Sequence, residues 1–117
     1  LIAFYENVAR PCLGPNFACM QLHEAWGFDG HLLSTGLRTA SKSLSFPCAS
    51  ARTLYVWDLE WLRPSGPKQY REYAALYGDK RLELISRSES HARLLSESWN
   101  RPVAHIFPSF EKELFLQ

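Results

Sequence analysis

Two carboxylates, Asp58 and Glu60, stand between tryptophans in the stretch TLYVWDLEWLRP, which covers residues 53–64. Side chains alternate between the two faces of a β-strand, so these two would share a face, about 6.5 to 7 Å apart. An unpaired acid in a buried strand costs free energy, and we therefore expect both where the strand emerges at its carboxyl end. Acids placed there could bind a cation, act as general acid or base, or pair with arginines. The pattern favours a structural ion pair and a functional role equally.

Polar side chains also follow the other predicted strands, at the edge where an open parallel sheet binds its ligands. Helices begin at that edge, and the unpaired N–H groups of their first turns favour anions such as phosphates. We therefore predict a pocket for a nucleotide, a sugar or a phosphorylated ligand there. The ligand-binding candidates are Gly14, Asn16, Thr35, Arg38, Arg63, Arg87, Ser88, Ser90 and His91, and the catalytic candidates are Asp58 and Glu60.

Each candidate has a structural alternative. The triplet GPN at 14–16 forms a lone turn rather than a glycine-rich phosphate loop, and Ser88 fits an N-cap better than a nucleophile. His91 fits a surface imidazole, and the tryptophans fit the core better than a platform for stacking a sugar or base. The other histidines show no metal-binding spacing, so the residues themselves predict no metal site.

The elements that must position these residues alternate between strand and helix. Strands are predicted over 1–9, 30–34, 52–62, 81–86 and 103–107, and helices over 16–27, 35–46, 67–78 and 88–100, with a last short helix capped by Ser109. Such alternation with short connections predicts a parallel sheet. We expect one α/β domain over 1–117, Rossmann-like or flavodoxin-like, with about five parallel strands and helices on both faces.

Composition narrows the function classes. Thirteen basic and twelve acidic residues leave a net charge of +1, so charge alone predicts neither nucleic-acid nor membrane binding. No apolar run approaches the roughly 18 residues of a membrane span, and the first residues do not read as a signal peptide. Three cysteines, Cys12, Cys19 and Cys48, lack C-x-x-C spacing and predict free thiols in a reducing cytoplasm.

A family resemblance extends over nearly the whole chain. The segments YVWDLEWLR and LELISRSESHARLLSESWNRPVAHIFPSF, together with GPNFACMQL and LLSTGLRTASKSL, resemble small glycosyltransferase-like proteins of tailed phages. The second segment also resembles a strand–helix–strand unit of GT-B glycosyltransferases. The resemblance implies the N-terminal, acceptor-side half of that two-domain architecture. The chain lacks the donor-binding half, so catalysis would need a second chain to complete the cleft.

The resemblance leads to a first hypothesis, a protein that binds a nucleotide sugar and transfers the sugar as part of an oligomer or complex. Asp58 or Glu60 would then serve as base or as ligand of a divalent cation that accompanies the nucleotide sugar, and Arg63 and Arg87 would hold phosphates. The alternative is a non-catalytic phage accessory module that keeps the fold and forms an oligomer or partner interface. Its candidate interface residues are Trp26, Tyr70, Tyr73, Tyr77 and Trp99.

Overall fold

The computed structural model describes residues 1–6 and 16–108, and this part of the chain has an α/β structure. Its strands are β1 (Ile2–Tyr5), β2 (Ala18–Gln21), β3 (His31–Ser34), β4 (Ala51–Val56), β5 (Glu83–Ser86) and β6 (His105–Ile106). Its α-helices are α1 (Leu37–Ser43), α2 (Pro67–Gly78) and α3 (Glu89–Trp99), and two 3₁₀ helices span Leu22–Gly27 and Glu60–Leu62. Gly14 and the helix predicted from Ser109 lie outside the described residues.

The strands form two parallel sheets. Strands β3, β4, β5 and β6 form a four-stranded sheet in chain order, and β1 pairs with β2 in a separate two-stranded sheet. The parallel α/β prediction is confirmed, but the prediction of a single five-stranded sheet is wrong. The first strand pairs with residues 18–21, which were predicted to be helical, and so it does not join the main sheet.

The three α-helices of the described residues all lie on one face of the main sheet, whereas the prediction placed helices on both faces. One hydrophobic cluster joins residues of α1, α2 and α3 to side chains of β4 and β5, among them Leu54, Val56 and Leu84. The physical reason is the strand order. Each crossover leads to the adjacent strand, and successive crossovers of one hand place their helices on the same side.

The opposite face of the main sheet carries the alternate side chains of each strand. Ile85 is buried there but belongs to neither hydrophobic cluster, while Leu33 is 60% exposed. No described helix packs its hydrophobic residues on this surface. We call it the open face; strand alternation and register assign to it His31, Leu33, Thr53, Tyr55, Glu83, Ile85 and His105, with Trp57, Arg87 and Phe107 just past the strand ends.

The strand predicted over 52–62 is shorter in the structure because a local side-chain contact ends it early. The strand expected over 52–62 ends at Val56, since the Asp58 carboxylate accepts the Leu59 N–H and a 3₁₀ helix follows. Trp61 turns into the core with 4% exposure, while Trp57 is 45% exposed. Of these two tryptophans, only Trp61 lies in the core that the sequence had favoured for both.

The helix expected over 16–27 is replaced by β2 and a 3₁₀ helix. The Gln21 N–H donates to Oε2 of Glu24 at 2.7 Å, which marks the start of the 3₁₀ helix. A helix over 16–27 would place Cys19, Leu22 and Trp26 on one face, but Cys19 and Trp26 are exposed. The spacing of these residues therefore does not correspond to a buried stripe.

The helices α2 and α3 confirm their predictions closely. Pro67 opens α2, and Gly78 is its last residue. The Ser88 side chain caps α3 by accepting the His91 N–H at 3.2 Å, and Asn100 ends the helix in a left-handed conformation with φ 50°. These ends follow from local chemistry, because a proline suits a first turn and a serine oxygen satisfies a first-turn N–H.

Arginines at the amino edge of the sheet close the carboxyl ends of the helices. The Arg101 guanidinium donates to the carbonyls of Tyr77, Asp79 and Leu82, at 3.0, 3.1 and 2.6 Å. Arg52 donates in the same way to carbonyls at the end of α1 and just beyond it. The last carbonyls of a helix have no intrahelical partner, so these cations stabilise the junctions between helices and strands.

Candidate functional site

The carboxyl ends of β4 and β5 bring several of the predicted residues together. Asp58 follows β4, and its Oδ2 lies 2.5 Å from Nη2 of Arg63, while its Oδ1 accepts the Leu59 N–H at 2.8 Å. Both side chains of the Asp58–Arg63 pair are largely solvated. Both carboxylate oxygens of Asp58 therefore have a partner within its own loop.

The loop after β5 contributes a group of serines. Ser86 Oγ donates to the Ser88 carbonyl at 3.1 Å, and the hydroxyls of Ser88 and Ser90 lie 3.1 Å apart. Ser88 Oγ also accepts the His91 N–H as the helix cap. This network fixes the backbone at the start of α3, and it engages the Ser88 hydroxyl as a cap, in agreement with the structural alternative.

His91 lies at the centre of this edge. Its Nδ1 is shielded from solvent and has no hydrogen-bond partner among the described residues. Burial lowers the pKa of the imidazole, repulsion by Arg87 lowers it further, and the Asp58 carboxylate opposes the shift. The ring is therefore a neutral imidazole near pH 7, with a polar atom that an added ligand or water could satisfy.

Arg87 carries a positive charge at the same edge. Its guanidinium carbon lies 5.4 Å from the centre of the Trp57 ring, and Trp57 packs edge-to-face on Tyr55 at 6.1 Å. The aromatic ring orients the arginine without neutralising it. The sequence had favoured a core role for Trp57, and no local pattern indicated its exposure, because the end of β4 at Val56 was not predicted.

We call the group formed by Trp57, Asp58, Arg63, Arg87, Ser88, Ser90 and His91 the carboxyl-edge site. The site combines two arginines, hydroxyl groups, a neutral imidazole and the first turn of an 11-residue helix. Such a set can donate several hydrogen bonds to an anion. Asp58 and Arg87 both affect the pKa of His91, which agrees with the prediction that Asp58 lies close to the β5–α3 loop.

Other predicted residues lie elsewhere. Glu60 and Arg38 line a groove of about 490 Å³ between α1 and α2, together with Gln69 and Tyr73. The expectation that Asp58 and Glu60 share a strand face is wrong, because Glu60 belongs to the 3₁₀ helix that follows β4. The second catalytic candidate thus turns toward the helical layer.

Arg38 is engaged at the α1 end of that groove. Its guanidinium pairs with Glu6 at 2.8 Å, and Lys42 forms a second ion pair with the same carboxylate. The Lys42 hydrogen bond and the two positive charges lower the pKa of Glu6. Thr35 is exposed after β3, and Asn16 is exposed just before β2. Neither shows a contact with the carboxyl-edge site.

The aromatic residues proposed for an interface divide into two groups. Tyr77 is 1% exposed, and Trp99 stacks on it at 5.1 Å and meets Trp61 at 5.9 Å, so both belong to the packed core between α2 and α3. Burial raises the pKa of the Tyr77 phenol, with smaller contributions from Glu60, Tyr73 and Asp58. Tyr70 and Trp26 remain exposed.

The described residues contain no set of side chains that could bind the expected divalent cation. No three histidine, cysteine, aspartate or glutamate side chains of residues 1–6 and 16–108 come together as a metal site. Asp58 is occupied by Arg63 and Leu59, and Glu60 faces another groove. The residues present therefore do not fit a metal held by Asp58 and Glu60.

The fold and the site define a class of protein: a parallel α/β protein with its helices on one sheet face and a cationic, hydroxyl-lined carboxyl edge. No described helix has the length and apolar character of a membrane span. Among family models, curated proteins and solved structures, none matches the chain. The resemblance to glycosyltransferase-like phage proteins therefore stays a hypothesis.

Proposed function

We propose that this protein binds a phosphorylated ligand, with a nucleotide sugar as the first candidate, at the carboxyl-edge site. The observation that carries the proposal is the arrangement of Arg87, Ser90 and His91 around the first turn of α3. A phosphate there would meet a guanidinium, a hydroxyl and the positive end of the helix. Arg63 would add a second cation once it exchanges its Asp58 contact for the ligand.

The exposed Trp57 ring supports a ligand larger than a phosphate alone. It stands beside Arg87, so a base or sugar ring attached to the phosphates could stack against it. The tryptophan would then contribute apolar contact area while the arginine holds charge. This combination favours a nucleotide or nucleotide sugar over inorganic phosphate.

Ligand binding has more support than catalysis in this chain. A general base needs a carboxylate free to accept a proton, and the Asp58 carboxylate is paired with Arg63. In the catalytic form of the proposal, the ligand phosphates draw Arg63 away and release Asp58 to act on an acceptor hydroxyl. A second chain would supply the other wall of the cleft, as the GT-B resemblance implies.

The test compares the UDP-glucose affinity of two arginine variants. Thermal shift and calorimetry measure the binding. Arg87→Ala should weaken binding about tenfold, because a charge-assisted hydrogen bond to phosphate is lost. Arg93→Ala is the matched control, since Arg93 is exposed farther along α3. Uridine, which lacks phosphate, should stabilise neither protein. Equal affinity of both variants for UDP-glucose, or no stabilisation by any phosphorylated ligand, would reject the site.

A second candidate function is an interaction module, and the open face favours it. Leu33 and Phe107 are 60% and 56% exposed, and Trp57 on the same face is 45% exposed. A parallel sheet in a folded protein is ordinarily covered on both faces. The two functions compete for Trp57 and Arg87, because the carboxyl-edge site and the open face share these two residues.

A further inference from the structure

The open face has a charge pattern that is complementary to itself. Glu83, Ile85 and Arg87 project from β5 and its end at alternate positions, so an acid and a base flank an apolar centre. Each lies about 6.6 Å along the strand from Ile85. A second identical β5, reversed in direction and laid over the first, would place each acid opposite the other copy's base.

The residues of the neighbouring strands fit the same reversed pairing of two copies. Tyr55 and His105 stand in register with Ile85, so the three lie on one line across the sheet. Glu83 stands in register with Thr53, and Arg87 stacks on Trp57. A two-fold axis along the Tyr55–Ile85–His105 line would therefore set the Trp57–Arg87 corner of one copy over the Thr53–Glu83 corner of the other.

The state of these groups in the single chain agrees with such an arrangement. Glu83 is exposed and forms no ion pair within 4 Å with any described residue, although the acids Glu6, Asp58 and Asp79 all do. Arg87 contacts an aromatic ring rather than a carboxylate. Ile85, at the centre of the face, is only 8% exposed, and Tyr55 beside it is half-buried. The apolar area that a second copy would cover therefore comes mainly from Leu33, Trp57 and Phe107.

We propose that this protein forms a two-fold symmetric homodimer in which two open faces pack together, with the Glu83 carboxylate of each copy paired to the Arg87 guanidinium of the other. The partner is a second copy of this chain, since an isologous interface must be complementary to itself. The inference does not rest on ligand binding, because the pairing of the open faces needs no ligand.

The size of the face sets the expected strength. Four strands about 4.8 Å apart, each contributing about 13 Å of length, make a flat area of about 250 Å² per copy, which is below the ~800 Å² per partner of a standard specific interface. The dimer should therefore be weak, with a dissociation constant toward the upper end of the range of about 1 µM to about 1 mM that sedimentation covers. Its sheets would lie about 10 Å apart.

The test is a charge exchange read by analytical ultracentrifugation. Glu83→Arg places two cations face to face and should weaken the dimer at least about tenfold, and Arg87→Glu should do the same with two acids. The double variant E83R/R87E restores opposite charges and should return the dissociation constant to within about threefold of the wild type. Glu97→Arg, an equal charge change on the exposed side of α3, should have no effect.

Three outcomes would overturn the proposal. A wild-type protein that stays monomeric at the highest concentration leaves the open face to a partner of another kind. A dimer that E83R does not weaken uses another surface, and a double variant as weak as the single ones shows that the two side chains do not meet. Circular dichroism of each variant separates a lost interface from a lost fold. Loss of UDP-glucose binding in Arg87→Glu bears only on the carboxyl-edge site.

Discussion

The two edges of the main sheet use the same residue type for opposite purposes. At the amino edge, the Arg101 guanidinium is consumed by three backbone carbonyls at and beyond the end of α2. At the carboxyl edge, Arg87 rests on an aromatic ring with no carboxylate or carbonyl partner among the described contacts. The helices explain the difference, because their carboxyl ends attract cations, whereas their amino ends attract anions. An arginine is structural at the first edge and available for a ligand at the second.

The largest expected effect tests this contrast through stability. Arg101→Ala should lower the free energy of unfolding by about 2–3 kcal/mol, because three carbonyls lose a charged donor. Arg87→Ala should lower it by less than about 1 kcal/mol, since an exposed cation–π contact contributes little. Urea unfolding of both variants measures the difference.

Lysine serves as the control at the amino edge. An ammonium group at position 101 lacks the planar fork of a guanidinium and should satisfy fewer of the three carbonyls, so Arg101→Lys should recover only part of the loss. If Arg101→Ala and Arg87→Ala destabilise the protein equally, the two edges do not differ in the way we infer.

Substitutions of Ser88 should have an intermediate effect, and they distinguish its role as a helix cap from anion binding at the carboxyl edge. Ser88→Ala should cost about 1 kcal/mol, because the His91 N–H loses its acceptor. Ser88→Asp keeps an N-cap acceptor and should retain stability, but its negative charge should repel the phosphates of UDP-glucose.

Urea unfolding and calorimetry on these two variants give the comparison. The informative result is a stable Ser88→Asp protein with weakened ligand binding. A Ser88→Asp protein that binds UDP-glucose as tightly as the wild type would place the ligand away from the first turn of α3.

How much of the fold the sequence predicts depends on how local the signals are. Pro67 and Ser88 mark the starts of α2 and α3 because each acts within one turn of chain. The strand order and the one-sided helical layer depend on which strands pair, and no local pattern specifies that. The early end of β4 depends on one contact, from the Asp58 carboxylate to the Leu59 N–H, which alternation does not reveal.

The predictability of the candidate site also depends on how local the signals are. Arg87, Ser88, Ser90 and His91 were predicted together and lie together, because they occupy one short loop and the helix turn that follows it. Glu60 and Arg38 were predicted to join them, but the 3₁₀ helix and the packing of α1 against α2 place them in a different groove. Contiguity in sequence made the first group predictable, whereas the second group depended on the path of the chain between elements.

The smallest expected effect concerns the protonation of His91. Burial and Arg87 lower the pKa of the folded imidazole below its ordinary value of 6.5, so the unfolded chain binds more protons as pH falls through 6.5. Stability should therefore decrease on acidification from pH 7.5 to pH 5, by a few tenths of a kcal/mol for this partly solvated ring. His91→Gln should remove that part of the pH dependence.

Unfolding of the wild type and of His91→Gln at both pH values measures how much of the pH-dependent stability comes from His91. Glu6 and Asp79, whose carboxyl pKa values are lowered, lose their contribution to stability only at lower pH, so they do not obscure the effect of His91. Bound UDP-glucose should reverse the sign, since a phosphate beside the ring favours the imidazolium, so affinity should rise as pH falls from 7.5 to 6. An affinity that is independent of pH would mean that the phosphates lie beyond the reach of His91. Recognition at the carboxyl edge would then rest on the arginines and the first turn of α3 without the imidazole, and the contrast with the amino edge would rest on Arg87 alone.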